Sequence, residues 1–438
     1  MKITAAGDRA LLVDLGEVTA AELHATAAEM RRRPGVVACI PGHSSLYLIF
    51  DRAIPNIGGQ ALLPVQDWRS SPLQTGQAGV PVLHRVAVHF DGPDLPEFLG
   101  RIALSFDDFL ARVRQLRLVA RYLGFRGGFA YLDGWPVEWA MPRRPTSRPV
   151  RRGTFAIAGS VAGFYPIDTP GGWNLLGHTS MSLENAIRAG DDLLIEPVGA
   201  PTDNPQPTTV TPPPSLPSID ILAAPLAIIV DRVDYSRLER GLAAGGPFDI
   251  EAAQRANRAV GNDPDAPVLE CALVGPRIRA REDVVVAWES GTFRLRAGEE
   301  LALGRITSAF RAYLAVGKEK HEIEPLRRGD HLTIHTMAGP HHSGFREVVC
   351  TVTPRLDRVG IRLQPNEPLP LIAPGDLRSC GMQCGTVQLH PDGSLVVMGP
   401  DHPVTGGYLQ PMTVLSGERW KVAQLAPGER VRLVVYWP

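Results

Sequence analysis

A proline-rich segment divides this chain into two halves, and it limits the fold more than any other feature. Seven of the 17 residues from 201 to 217 are proline, and most of the others are Thr, Asn, Gln or Ser. Such a sequence buries little apolar surface and favours the extended polyproline II conformation. It therefore predicts a semi-rigid linker between two folded halves.

The abundance of turn-forming residues indicates a fold built from short strands. The chain of 438 residues contains 44 glycines and 40 prolines, while only 6% of its residues are aromatic. Glycine and proline interrupt long helices and mark turns. The length favours about two to four domains. We expect an α+β fold that is mostly β.

The charge balance and the cysteines exclude several classes of protein. Lys and Arg number 45 against 46 Asp and Glu, a net charge of −1, so we expect no nucleic-acid partner and no polybasic membrane contact. The longest uncharged apolar run, residues 221–230, is shorter than the about 20 residues that span a bilayer. The five cysteines form no disulfide pattern, and no signal region follows Met1. These features predict a cytoplasmic protein.

Capping patterns predict three helices among the strands. Thr19 with Glu22 three residues later forms a capping box before an apolar stripe, and Ser105 with Asp108 repeats the pattern. Asp249 caps a third helix in the second half. Apolar runs predict strands at 10–15, 45–50, 283–288, 310–316, 331–336, 347–353, 360–363, 386–389, 395–398 and 431–436.

Glycine-rich loops and an arginine pair are the candidate ligand-binding features of the first half. The stretch 124–132 contains three glycines whose amides could bind an anion, although a tight turn alone would also require them. Arg143 and Arg144 lie between prolines on a loop suited to a phosphate or carboxylate, and a solvated surface pair is the alternative. The stretch 169–177 adds three glycines and a tryptophan, in either a ligand loop or a hairpin turn.

The densest chemical cluster lies near the C-terminus. Within eight residues, the stretch Asp401–Tyr408 places an Asp beside a His, followed by a hydroxyl, two glycines and a phenol. Such a set could polarise a substrate and bind an anion. A hairpin with incidental polar groups explains the spacing equally well.

Common metal and nucleotide motifs are missing from the sequence. Four histidines, His331, His335, His341 and His342, lie close together, but residues 332–346 contain no Asp or Glu. Neither HExxH nor a paired CxxC occurs, so we expect no metal site. The sequence also lacks a Walker A motif, a Rossmann glycine fingerprint and GxSxG.

Taken in order, the motifs of the first half resemble the allophanate hydrolase subunit 1 family, also described as the B subunit of 5-oxoprolinase and as the sporulation kinase inhibitor family. The matching stretches are 7–13, 92–95, 124–125, 131–132, 142–144, 156–159, 165–166 and 170–173. The second half resembles the partner family, allophanate hydrolase subunit 2, also described as the C subunit of 5-oxoprolinase. Its matches are 246–249, 256–257, 260–262, 313–316, 357–358, 360, 362–363, 385, 388, 392–393, 401, 405–408, 424–425 and 427–428.

The resemblance implies a small α+β domain followed by tandem cyclophilin-like β-barrel modules. Its expected domains are 1–85, a cyclophilin-like module at 86–200, the linker at 201–217 and a C-type, carboxyltransferase-like module at 218–438. It further implies one component of an ATP-dependent 5-oxoprolinase-type hydrolase, which opens a small amide or lactam together with an A-type subunit. Similar modules form the carboxyltransferase part of urea carboxylase, so carboxyl transfer from biotin is an alternative. The resemblance leaves a homo-oligomer open.

The resemblance and the clusters together select candidate site residues. For catalysis we select Arg358, Asp401 and Tyr408, with Asp401 orienting the substrate or accepting a proton. For binding substrate or phosphate we select residues that offer guanidinium, amide, carboxylate, hydroxyl or aromatic groups: Arg143, Arg144, Gly171, Gly172, Trp173, Asp357, Gln388, Thr405, Gly406 and Gly407. The glycine amides would stabilise a developing oxyanion.

Two departures from the family favour a second interpretation. Asp234 stands where the family has an Arg, which reverses the charge. Tyr313–Val316 is followed almost directly by Gly329, where family members have a longer, glycine-rich loop. Because that loop is candidate substrate-binding backbone, the chain could instead be a binding or regulatory protein that retained the fold and lost the chemistry.

Overall fold

The structure is a computed structural model of the chain. It describes residues 1–54, 81–125, 128–183, 186–199, 215–289, 291–323, 330–342, 344–369 and 377–436. Most of the predicted linker therefore lies outside the described residues. Strands predominate over short helices, which confirms the expectation of an α+β, mostly β fold. None of the described helices has the length and apolar character needed to cross a membrane.

The first 54 residues form a four-stranded antiparallel sheet with one helix. Its elements are β1 (Lys2–Ala5), β2 (Ala10–Asp14), α1 (Ala20–Arg31), β3 (Val36–Pro41) and β4 (Ser45–Phe50). The strand order is β1-β2-β4-β3. Thr19 and Glu22 form the predicted capping box at the start of α1, so this helix begins where the sequence indicates.

Both faces of this N-terminal sheet are buried. Side chains alternate across a strand, so Leu46 and Leu48 of β4 pack under α1 while Tyr47 and Ile49 point the other way. The second face packs against apolar side chains of the second half, namely Leu238, Ala244 and Val404. The sheet therefore connects the two halves through a shared core.

A seven-stranded half-barrel makes up the rest of the first half. Its elements are β5 (Leu83–Val88), α2 (Leu95–Ile102), α3 (Phe106–Val113), β6 (Arg117–Gly124), β7 (Phe129–Asp133), β8 (Arg148–Val150), β9 (Thr154–Ala158), β10 (Val161–Phe164), β11 (Thr169–Gly171), β12 (Asn174–His178) and β13 (Asp192–Pro197). The sheet order is β12-β9-β10-β7-β6-β13-β5, and β8 pairs with β11. Ser105 caps α3 as predicted. Phe98 and Phe109 pack edge to face in the core, with centroids 5.6 Å apart.

The second half begins with two small sheets. Its elements are β14 (Ile219–Ala223), β15 (Ala227–Val230), α4 (Ile250–Arg258), β16 (Val268–Ala272), β17 (Arg277–Ala280), β18 (Val284–Trp288), β19 (Gly291–Leu295), β20 (Glu300–Ala302) and β21 (Arg311–Gly317). One sheet has the order β15-β16-β21-β18-β19 and the other β14-β17-β20. Asp249 caps α4 as predicted, since its Oδ1 accepts from the amide of Ala252 at 3.1 Å.

A closed seven-stranded barrel completes the chain. Its elements are β22 (Thr333–Ala338), β23 (Glu347–Leu356), β24 (Gly360–Pro365), β25 (Cys380–Gly381), β26 (Thr386–Leu389), β27 (Leu395–Met398), β28 (Thr405–Gly406), β29 (Leu409–Val414), α5 (Arg419–Ala423) and β30 (Arg430–Tyr436). The barrel closes in the order β22-β29-β26-β27-β24-β23-β30, and β25 pairs with β28 outside it. The half-barrel and this closed barrel confirm the predicted tandem cyclophilin-like modules.

Candidate functional site

The glycine-rich stretches predicted in the two halves meet at one junction. Thr405 Oγ1, at the start of β28, donates to the carbonyl oxygen of Leu123 in β6 at 2.9 Å. A Cβ atom on Gly124 would collide with the same hydroxyl oxygen. A larger residue at position 124 would therefore displace the Thr405 hydroxyl from this hydrogen bond. The folded chain brings together loops that lie far apart in the sequence.

Aromatic side chains form the first-half side of the junction. Tyr122 and Tyr131 stack with their ring centroids 4.3 Å apart, and Trp173 lies 5.7 Å from Tyr131. Burial raises the pKa of Tyr122 to about 12, against the opposing effects of its hydrogen bond to Ser379 and of the charge on Arg143. The phenol is therefore neutral at physiological pH. Tyr122 also links the halves, because Ser379 belongs to the second.

The structure divides the predicted arginine pair. Arg144 donates to Asp94 Oδ1 at 2.9 Å and to Glu97 Oε2 at 2.6 Å, so its charge is compensated on the protein. Arg143 is exposed and has no hydrogen bond or ion pair with any described residue. Its charge acts on the two stacked tyrosines of the junction. Arg143 is thus the member of the pair that is available to an anion.

The loop with Gly171, Gly172 and Trp173 packs behind these aromatic rings. A Cβ atom on Gly171 would collide with the hydroxyl group of Tyr165, so glycine permits the close approach. The carbonyl oxygen of Gly172 accepts from the amide of Arg144 at 2.8 Å. Trp173 is buried among the aromatic side chains. These contacts fix the arginine loop, and direct ligand binding by the three residues stays a prediction.

Gln388 provides an unpaired donor on the second-half side of the junction. Its side chain, on β26, is only 3% exposed, and its Nε2 has no hydrogen-bond partner among the described residues. A Cβ atom on Gly406 would lie 2.7 Å from Nε2, so the amide lies directly against the backbone of β28. A buried donor without an acceptor costs about 1–3 kcal/mol. Gln388 is therefore suited to donate to an oxygen atom of a ligand.

His390 and Tyr408 extend the same surface. Their rings stack with centroids 4.3 Å apart, and Tyr408 is 41% exposed. His390 Nε2 is buried and unpaired among the described residues, and burial, aided by the charge of Arg362, lowers the pKa of this histidine. His390 was not predicted from the sequence. The available signal was its position two residues after Gln388, directly beyond the end of the predicted strand 386–389.

Arg358 and Asp401 bind each other. Arg358 Nε and Nη2 contact the two carboxylate oxygens of Asp401 at 2.7 and 2.9 Å, and Nη1 contacts Glu270 at 2.9 Å. Burial opposes the charged form, but the two carboxylates raise the pKa of Arg358. Asp357 accepts two backbone hydrogen bonds in the adjoining turn. This network holds the segment that leads to Thr405, and catalytic roles for its members stay predictions.

Metal ligands do not assemble in the part of the chain that the structure describes. No group of three or more His, Cys, Asp or Glu side chains there could hold a metal ion. His331 contacts Glu429 at 3.1 Å, and His335 contacts Glu418 at 2.6 Å. These histidines pair with carboxylates that are distant in sequence.

A half-barrel and a closed barrel that share a glycine-rich junction define a class of tandem-barrel proteins. Residues 1–193 match the family described as carboxyltransferase domain, subdomain C and D. Residues 240–326 and 318–435 match carboxyltransferase domain, subdomain A and B. The chain therefore belongs to the carboxyltransferase-domain family, and it joins a B-type half to a C-type half.

Individual relatives cover each half and the whole. The B subunit of 5-oxoprolinase from Bacillus subtilis is 31% identical over 216 residues, which cover 42% of this chain and 88% of that protein. The C subunit of 5-oxoprolinase from Escherichia coli K12 is 25% identical over 260 residues, which cover 45% of this chain and 84% of that protein. The crystal structure of TTHA0988 superimposes with a TM-score of 0.78 at 27% identity, covering 98% of this chain and 99% of that one. The resemblance seen in the sequence is confirmed along nearly the whole chain.

One predicted departure is visible in the family match and the other in the described structure. The match to subdomains A and B falls into two segments that meet at 318–326, where the sequence indicates a shortened loop. Of this loop, residues 324–329 lie outside the described residues. Asp234 accepts from the amide and hydroxyl of Ser236 at 3.0 and 2.6 Å. The reversed charge at position 234 therefore caps a short turn.

Proposed function

We propose that this chain is the fused B- and C-type component of an ATP-dependent hydrolase that opens a small cyclic amide such as 5-oxoproline. The observation that carries the proposal is the buried, unpaired Nε2 of Gln388 at a junction that also presents the unpaired guanidinium of Arg143. The relatives named as the B and C subunits of 5-oxoprolinase support the choice of substrate.

The chemistry of 5-oxoproline matches these two groups. Its carboxylate would pair with Arg143, and its lactam oxygen would accept from Gln388 Nε2. A donor aimed at a carbonyl oxygen stabilises the negative charge that develops there when the amide is attacked. Tyr122 and Tyr131 would pack against the apolar ring, and their neutral phenols add no opposing charge.

ATP would bind to a partner rather than at this junction. A triphosphate needs several cationic groups, whereas Arg143 is the unpaired guanidinium that the described part of the predicted arginine loop presents. No described cluster could hold a metal ion for the phosphates. An A-type subunit would therefore supply the nucleotide site, and this chain would hold and polarise the lactam.

The test is an assay of the purified chain with a cognate A-type subunit, ATP and 5-oxoproline. We expect ADP and glutamate to form, and we expect Gln388→Leu to lower kcat/KM by about 100-fold because one oxyanion donor is lost. Gln115→Leu, which changes an exposed glutamine outside the junction, serves as the matched control. A complex that forms but yields neither product would contradict the proposal.

Two alternatives have their own observations and outcomes. The interrupted family match at 318–326 favours a regulatory protein, for which 5-oxoproline would bind without being hydrolysed. The family description favours a carboxyltransferase component, for which carboxylated biotin from a biotin carboxylase would be consumed in the presence of an amide acceptor. The same purified chain distinguishes the three functions.

A further inference from the structure

A cavity of about 310 Å³ lies between the N-terminal sheet and the second half. Arg9 and Ile49 line it from the first half, and residues of the second half form the remainder. None of the residues that form the junction described above lines this cavity. Its volume is at the lower end of the range of about 300–1,000 Å³ that is typical of small-molecule sites.

The charged side chains around the cavity balance one another. Arg9 and Arg419 contribute two positive charges, and Asp249 and Glu251 contribute two negative ones. Arg9 is held in place by hydrogen bonds to the carbonyl oxygens of the β4 terminus. A lining without net charge favours an uncharged ligand, because an ion would lack compensation.

Arg419 offers the cavity a hydrogen-bond donor. Its Nη2 donates to Gln383 Oε1 at 2.9 Å, which fixes the guanidinium. Its Nε is buried and has no partner among the described residues. An unpaired N–H of this kind is stabilised when an oxygen atom of a ligand accepts from it.

His402, which also lines the cavity, offers an acceptor. Its Nδ1 lies 2.7 Å from the carbonyl oxygen of Pro403, and because a carbonyl can only accept, Nδ1 carries the proton. Nε2 is then an acceptor, and no described group bonds to it. The side chain is 3% exposed; burial lowers its pKa to about 4, and the charge of Arg419 acts in the same direction. The ring is therefore neutral under physiological conditions.

We propose that this cavity is a second ligand site that binds a small uncharged carboxamide or lactam. The carbonyl oxygen of the ligand accepts from Arg419, its N–H donates to His402, and its apolar atoms pack against Phe248 and Trp420. An amide presents a neighbouring acceptor and donor without net charge, which is the pattern that this lining complements. The proposal does not rest on the function proposed for the junction.

The test is a ligand-observed NMR titration of the full chain with 2-pyrrolidinone and with cyclopentanone, which has the same ring size and no N–H. We expect 2-pyrrolidinone to bind about tenfold more tightly, since one hydrogen bond distinguishes the pair. His402→Leu should abolish this difference. Ala244→Leu, which fills the cavity, should weaken both ligands about tenfold, and Gln115→Leu, which changes an exposed glutamine outside both sites, should change neither.

Each contrary result overturns the proposal. Equal affinities for the two ligands, or no binding of 2-pyrrolidinone, would show that the cavity does not recognise an amide. Loss of binding in Gln388→Leu but not in Ala244→Leu would place the lactam at the junction, and the proposed function would then stand without this second site. Circular dichroism checks that the variants fold. If His402→Leu does not fold, Ala244→Leu decides the test.

Discussion

Single side chains determine which of the predicted arginines can bind a ligand. Arg144 contacts Asp94, whose side chain is 7% exposed, whereas Arg143 has no hydrogen bond or ion pair with a described residue. We expect Arg144→Gln to lower the free energy of unfolding by about 1–3 kcal/mol, because a hydrogen bond to a charged, buried group is lost. Arg143→Gln should leave it unchanged within about 0.5 kcal/mol. Thermal melting of both variants measures these changes in stability. An equal loss of stability in the two variants would contradict the prediction.

The sequence could reveal the type of these residues but not their partners. An arginine pair between prolines and a Thr-Gly-Gly-Tyr stretch are visible without a structure. Asp94 and Glu97 compensate the charge of Arg144. Asp94 directly precedes α2 and Glu97 lies in its first turn, and this helix was not predicted from the sequence. The pairing of Arg358 with Asp401 likewise depends on the pairing of β24 with β27, which brings positions 358 and 401 together. Which charges remain free for a ligand is therefore decided by tertiary contacts.

His24 makes the stability of the first half depend on pH. Burial, together with the charge of Arg31, lowers its pKa to about 4 from the ordinary 6.5, and its Nε2 is unpaired among the described residues. Between these two values the unfolded chain binds more protons, so stability is complete above pH 6.5 and falls as the pH decreases. The loss contributed by this group reaches about 2 kcal/mol at pH 5.

Replacing His24 isolates that effect. His24→Asn keeps a donor near the position of Nδ1 and removes the titration. We expect the melting temperature of the variant to change less than that of the natural chain between pH 8 and pH 5. Parallel pH profiles of the two proteins would contradict the assignment.

Individual elements were predictable where the local signal was strong. Strands β4, β26 and β27 have the predicted limits, and α1, α3 and α4 begin at the predicted caps. Strands β17 and β20 were missed because they lack an apolar run. Arg277 and Arg279 of β17 each contact Glu300 of β20 at 2.6 Å, so exposed ion pairs replace the usual pattern. Strand β22 begins two residues later than predicted.

The approach of β6 to β28 makes Gly124 a sensitive position. Gly124→Ala should displace the Thr405 hydroxyl and break its hydrogen bond to Leu123, since the added Cβ would occupy the position of Oγ1. We expect a lower melting temperature and weaker binding of 5-oxoproline. Gly100→Ala in α2 is the matched control, because nothing lies near the added Cβ and Ala stabilises a helix by about 0.5–1 kcal/mol. Equal behaviour of the two variants would contradict the close contact.

At the scale of the whole molecule, the halves are joined by contacts and not only by the linker. The Asp8 carboxylate accepts from the amide and hydroxyl of Ser416, and the amide of His43 donates to the carbonyl oxygen of Ser379 at 2.8 Å. These contacts cannot be predicted from the sequence, because the partners are hundreds of residues apart. Cleavage at a protease site inserted within 201–214 should therefore leave the halves together in size-exclusion chromatography. Two separate peaks would contradict this expectation.

The proposed function requires a ligand site built from both halves. Calorimetry of 5-oxoproline with the intact chain, Arg143→Gln in the first half and Gln388→Leu in the second tests it most directly. We predict that each substitution weakens binding by about tenfold, since each removes one hydrogen bond to the same ligand. Wild-type affinity in either variant would contradict a site shared by the two halves.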